Sequence, residues 1–199
     1  DADNQDRYPL MNPWAPGIAV MNVTPSRSIV VEGSTLGINV TVTNQGTATE
    51  VFNLTAYADQ RATIIGDETT IGIQNVTLAG GNSTTVTFTW NTTGVGGGDY
   101  TISAKASVVP GETDTIDNTK VDGTVTVFST GHDVAIKGVN PSKTVVGQGC
   151  SLLIHMTAKN YGNFTETFNV TAYYDDIPIK TENVTNLLPR EETIVTFTW

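Results

Sequence analysis

The chain is predicted to be all-β: two immunoglobulin-like antiparallel β-sandwiches in tandem, the second of them incomplete. Three observations predict this. The stretch Thr41–Asp59 (TVTNQGTATEVFNLTAYAD) recurs as Thr157–Asp175 (TAKNYGNFTETFNVTAYYD) at one constant offset of 116 residues. Such self-similarity marks a duplicated structural unit. Apolar residues alternate with Thr, Asn and Ser at period two, the pattern of strands with one face in a core. Gly, Pro, Asn and Asp clusters punctuate these runs, and about seven short strands in about 110 residues without a helical period specify a sandwich.

Taken in order, residues 1–17 (DADNQDRYPLMNPWAPG) carry three Pro and three Asp without periodicity. They read as an extended linker or the tail of an upstream domain. The first sandwich spans 18–128. Leu36, Ile38, Val40 and Val42 share one strand face, with Asn39, Thr41 and Thr43 on the other. Asn44-Gln45-Gly46-Thr47 turns the chain, with Gly46 expected at positive φ. Glu50, Phe52, Leu54 and Ala56 form the returning strand. Gln60–Leu78 reads as a variable stretch, and Arg61–Thr70 as a loop insertion, because the second copy is about seven residues shorter there. TTVTFTW places Trp90 in phase with Val86 and Phe88, hence in the core. After the Gly-rich turn NTTGVGGG come a strand with Tyr100, Ile102, Ala104 and Ala106, the acidic loop PGETDTIDN, and a last strand over Val121–Phe128.

A linker at 129–132 leads to the second sandwich, 133–199, in which Val134, Val139, Pro141, Gly149, Leu152 and Ile154 match Ile18, Val23, Pro25, Gly33, Leu36 and Ile38. It stops at TIVTFTW, the counterpart of the stretch ending at Trp90, so its last two strands are missing. In the first unit those strands bring Tyr100, Ile102, Ala104, Val125 and Val127 to the core, a burial that stabilises by about 8–12 kcal/mol. Three explanations fit: a longer tandem array of which this is a part, completion by strands from another chain, or an end that stays unfolded.

Composition narrows the function. Ten basic against twenty acidic residues give a net charge of −10, which argues against nucleic acid or an anionic membrane as partner. One cysteine among 199 residues excludes an intrachain disulfide framework or a cysteine-rich zinc site. No apolar run approaches the roughly 18–20 residues of a membrane span. No catalytic set recurs at equivalent positions. His132 falls in the linker, and His155 stands where the first copy has Asn39. Cys150 stands where it has Ser34 and reads as a small, partly buried side chain. GVGGGDY opens into a strand, so it offers no helix N-terminus to an anion.

Two chemistries remain. Glu112, Asp114, Asp117 and Asn118, with Asp122 near, place hard oxygen ligands on one short connection, a candidate calcium site set against the plainer reading of a solvated turn. Asp1, Asp3 and Asp6 resemble a calcium loop less well, lacking the following Gly and distal Glu. The stronger signal is covalent. Asn-x-Ser/Thr acceptors occur at Asn22, Asn39, Asn53, Asn75, Asn82, Asn91, Asn163, Asn169 and Asn183, nine of sixteen asparagines. Ser/Thr content alone would give roughly three or four. N-glycosylation at several of them implies a chain displayed outside a cell.

The ordered series NVTPSRSIVVEGSTLGINVTVTNQGT, EVFNLTAYAD, TVTFTW and GGGDYTISAKASVVPGETDTIDN resembles the CARDB family, the cell-adhesion-related domain of prokaryotic and archaeal surface proteins. The resemblance covers 18–128 and continues over 133–199. Its acidic loop ends Asp117-Asn118 where the family often has Asn-Asn. Residues 1–14 resemble, more faintly, the tail of parallel β-helix surface proteins of the copper-binding type. CARDB membership implies an immunoglobulin-like sandwich, tandem repetition, surface display and no catalytic residues. The expectation is a non-catalytic extracellular structural or adhesive protein of the cell surface, built as a stalk or filament, with no cofactor beyond the candidate calcium. Its partners would be other copies of itself or neighbouring repeats, and surface glycans or proteins, without membrane insertion. The alternative is a carbohydrate- or protein-binding accessory module of a larger surface enzyme or β-helix protein, using Tyr57 and Tyr173 on the outward strand face with Tyr161 and Phe164 in the turn.

Overall fold

The computed structural model describes residues 16–60 and 68–199. The expected linker over 1–17, save Pro16 and Gly17, lies outside them, as do Asp1, Asp3, Asp6 and most of the insertion placed at Arg61–Thr70. The described residues form an all-β chain without helices, as period-two patterning requires. The chain divides into two compact units, one built from residues up to Val30, Ser34–Thr92 and Asp99–Thr126, the other from Val31–Gly33, Thr93–Gly98 and Val127–Trp199.

In the first unit, β1 (Ile18–Pro25), β3 (Thr35–Asn44) and β6 (Ser83–Asn91) make one sheet in the order β1-β3-β6. The facing sheet runs β2-β8-β7-β4-β5, with β2 (Ile29–Val31), β8 (Thr119–Phe128), β7 (Gly98–Ala106), β4 (Glu50–Asp59) and β5 (Thr69–Leu78). In the antiparallel pairs β1/β3, β3/β6 and β4/β7, Val40 faces Val23 and Val86, and Ala56 faces Ala104; β2 runs parallel to β8, with Thr126 N donating to Ser28 O and Glu32 N to Phe128 O. Each strand turns its apolar phase inward, so Ile18, Ile38, Val40, Phe52, Leu54, Ile102, Val125 and Val127 are fully buried. Trp90 lies among them and meets Tyr100 edge to face, centroids 5.4 Å apart.

Two elements depart from the sequence expectation. Gln60–Leu78, read as variable, holds a ten-residue strand, β5, that takes in Thr69 and Thr70. It is an edge strand, buried only at Val76 and Leu78, so it shows little alternation. The three-residue β2 is likewise too short to leave a periodic signal.

In the second unit, β9 (Val134–Pro141), β10 (Leu153–Asn160) and β13 (Glu192–Thr198) form a sheet in the order β13-β10-β9, and β11 (Glu166–Tyr174) pairs with β12 (Ile177–Leu187). Leu152, Ile154, Met156, Val170, Ala172 and Phe197 make its core. The copy shares two bulges with the first and adds one, between Glu166 and Phe168, where Glu50–Phe52 pairs in step. The β1/β3 register shifts at Met21 and the β9/β10 register at Lys137, the same repeat position. The β4/β5 register shifts after Ala56 and the β11/β12 register after Ala172, again in matching places. Bulges set local twist and bend, and two of them fall at the same repeat positions in both copies. The copies differ in cover. Ile18, Val20 and Val23 are at most 4% exposed, whereas their counterparts Val134, Ile136 and Val139 are 41–53% exposed. Trp199, counterpart of the buried Trp90, is half exposed and stacks on Tyr174 at 5.2 Å.

Candidate functional site

The residues that make the repeat recognisable prove to be clamps. Asn44 is fully buried, and its Nδ2 donates to Ala48 O and Leu78 O, both at 2.8 Å, while its Oδ1 accepts from Gly46 N at 3.0 Å. Asn160 makes the same three bonds: to Phe164 O at 2.7 Å, to Leu187 O at 3.0 Å, and from Gly162 N at 2.9 Å. A buried amide satisfied this way ties three backbone segments together. The expected positive φ at Gly46 is not found there or at Gly162. Gly162 is required for another reason: a Cβ would lie 2.6 Å from Gly131 O and 2.7 Å from Asp133 N. Left-handed backbone occurs instead at Gly81, φ 72°, third residue of the turn Ala79–Asn82. Its counterpart Arg190 holds φ 71°. Gly81 N and Arg190 N close onto the carbonyls of Asn44 and Asn160 respectively.

The acidic loop is positioned between β7 and β8. Glu112 Oε1 accepts from Ile18 N at 2.7 Å, while Oε2 accepts from Val109 N at 2.9 Å and from Asn118 Nδ2 at 3.1 Å. Its carboxylate therefore fastens the start of β1 to the loop. Asp114 is exposed and caps its own turn through Ile116 N at 3.2 Å, and Asp122 is exposed on β8. Asp117 O accepts from Val20 N, and Asn118 O from Ala106 N, both at 2.8 Å. The side chains of Asp117 and Asn118 each leave Oδ1 shielded from solvent and without a hydrogen-bond partner. Burial, then the charge of Asp114, pushes the Asp117 carboxyl above its ordinary value. Among the described residues no three His, Cys, Asp or Glu side chains stand where they could hold a metal ion.

The remaining candidates are scattered. His132 Nδ1 lies 2.6 Å from Glu166 Oε1, and its ring stacks on exposed Phe164. His155 Nδ1 meets Thr196 Oγ1 at 2.9 Å, the place where Asn39 Oδ1 accepts from Thr87 Oγ1 in the first unit. Cys150 is exposed, not partly buried, because it sits in the loop before β10. Tyr173 is exposed and Tyr57 half-buried, but Tyr161 is buried and is excluded from an outward aromatic surface.

All nine Asn-x-Ser/Thr asparagines are exposed, while the three buried asparagines of the described residues, Asn44, Asn118 and Asn160, stand outside such motifs. Four of the nine form cross-strand pairs. Asn53 faces Asn75 in the β4/β5 register, and Asn169 faces Asn183 in the β11/β12 register. In each pair the later residue donates: Asn75 Nδ2 to Asn53 Oδ1 at 3.1 Å, Asn183 Nδ2 to Asn169 Oδ1 at 2.8 Å. On the opposite sheet, Thr41 bonds Thr85 and Thr43 bonds Ser83, at 2.9 and 2.7 Å. Strands β1, β3 and β6 contain no charged residue in a chain that has thirty.

Fold and clamps together define the class: an immunoglobulin-like β-sandwich module, used twice, whose repeated motif residues build the scaffold. The CARDB family model matches residues 16–128, more than half of the chain, and the chain belongs to the CARDB family. Among solved structures it is similar to the CARDB domain of the PF1109 protein of Pyrococcus furiosus, a complex with di-metal ions. The identity is 21%, over 57% of this chain and 89% of that one, with a TM-score of 0.45. It is also similar to part of a β-glucosidase from Erythrobacter marinus, at 17% identity, over 56% of this chain and 15% of that enzyme, TM-score 0.42. A β-glucosidase from Listeria innocua matches at 18% identity, over 56% of this chain and 16% of that enzyme, TM-score 0.39. No curated protein matches the chain. Among the described residues no helix is long and apolar enough to cross a membrane.

Proposed function

We propose that the chain is a non-catalytic structural and adhesive module of an extracellular surface protein, glycosylated on its exterior and joined to further copies or repeats as a stalk or filament. One observation carries this reading: the Asn44 clamp and its bulged strands recur intact at Asn160, so the chain multiplies a rigid spacer. Repeated units with nearest-neighbour contacts extend a molecule in one dimension. The exposed acceptor asparagines support a sugar-bearing surface. Native material imaged by electron microscopy is expected as extended rods or fibres. Compact monomeric particles would overturn the proposal.

A further inference from the structure

We infer that Asn53, and not its cross-strand neighbour Asn75, is the glycan-bearing member of their pair, and that the first sugar is seated on the outer face of the β4-β5-β7 sheet. The inference rests on the glycosylated surface proposed above and assigns one attachment point and its bed. Asn53 and Asn75 are direct partners in the register, and Asn75 Nδ2 is committed to Asn53 Oδ1 at 3.1 Å. That bond orients both amides. It turns the Asn53 Nδ2, the atom that is modified, away from its neighbour, where it meets no acceptor among the described residues.

Beside it lies a shallow hollow of about 270 Å³, lined by Asn53, Thr55, Tyr57, Ile73, Lys105 and Ser107. Such a volume falls below the roughly 300–1,000 Å³ of sites that hold a free ligand, yet it can take a single ring already tethered at the rim. Its chemistry suits a sugar. Ile73, 64% exposed at the centre of β5, and the half-buried Tyr57 ring offer an apolar bed for the carbon face of a pyranose. Thr55, Ser107 and Lys105 place hydroxyl and ammonium donors around it.

Distance disfavours sugar on both asparagines. Facing residues of adjacent strands hold their Cβ atoms about 4.5–5.5 Å apart, too close for two sugar chains to stand side by side on the sheet. Transfer joins Asn53 Nδ2 to the anomeric carbon of a phosphate-linked sugar donor. It breaks that carbon's bond to the donor phosphate oxygen, and releases one amide proton and the phosphate-bearing leaving group. The second unit repeats the arrangement, with Asn183 Nδ2 committed to Asn169 Oδ1 at 2.8 Å.

The test uses the full chain secreted from a host that modifies Asn-x-Ser/Thr, with glycopeptide mass spectrometry and thermal melting. Asn53 is expected to carry sugar and Asn75 to be bare. Thr77→Val, which destroys only the Asn75 motif, should leave the total glycan mass unchanged, and Thr55→Val, which destroys the Asn53 motif but keeps the amide that holds Asn75, should remove one chain. Ile73→Ser should lower the Tm further in the glycosylated protein than after enzymatic deglycosylation. Sugar on Asn75, on both residues, or only at other motifs overturns the assignment while leaving a glycosylated surface standing. Sugar at none of the nine motifs overturns both. Equal Tm losses with and without sugar overturn the seat.

Discussion

At the scale of single residues, the chain spends its most distinctive side chains on backbone. Removing the Asn44 amide strands the carbonyls of Ala48 and Leu78 and the Gly46 N–H in a buried place. Each such group costs about 1–3 kcal/mol when left unpaired. Asn44→Ala is therefore expected to destabilise the first unit by at least about 2 kcal/mol, read as a lower denaturation midpoint. Asp117 makes the opposite kind of prediction. Burial and the neighbouring Asp114 raise its folded-state pKa above the ordinary 3.8, so the folded protein disfavours the ionised form. Below 3.8 the carboxyl is neutral folded or unfolded and carries no penalty. As pH rises through the folded value the penalty appears in full and persists to neutrality. Asp117→Asn should thus raise the Tm at pH 7, and the gain should vanish in melts recorded below 3.8. Both places stand out in the sequence, but their backbone bonds do not. Asn-x-Gly reads as turn composition because a buried clamp and an exposed turn use the same small polar residues. The spacing of the acidic loop cannot reveal that Ile18, ninety-four residues away, donates to Glu112 Oε1.

At the scale of elements, alternation made the central strands legible. Phe52, Leu54 and Ala56 announce β4, and Trp90 falls in the core phase of β6 as expected. Edge elements escaped because their burial is one-sided or brief, as in β5 with its exposed Ile73 and in β2 with three residues. The two copies of the central strand then differ in a measurable way. β4 is hydrogen-bonded on both sides, by β5 and β7, while β11 is bonded by β12 alone. Amide exchange is set by local opening of such bonds, so β11 amides on the side away from β12 should exchange much faster than their β4 counterparts in hydrogen–deuterium exchange. Equal protection would show that β11 acquires a neighbour in solution.

At the scale of the whole molecule, two units of one design hold unequal cores. The exposed Val134, Ile136 and Val139 forgo burial that their first-unit counterparts enjoy, and a fully buried side chain of this kind stabilises by about 1.5–3 kcal/mol. For the 199 residues by themselves, calorimetry should resolve two transitions, with the second unit melting first; a single cooperative transition would contradict that inequality. The uncharged sheet β1-β3-β6 has a separate consequence. Salt at physiological strength screens exposed charges beyond about 8 Å, and ion pairs such as Lys137–Glu192 at 3.7 Å, which brace the matching sheet of the second unit, weaken with it. The hydroxyl and amide rungs at Thr41–Thr85, Thr43–Ser83 and Asn39–Thr87 hold no ionised group. Those rungs offer nothing for salt to screen or for a proton to neutralise, so the sensitivity of this sheet to pH is concentrated at one end of one strand, where the Glu112 carboxylate holds Ile18 N.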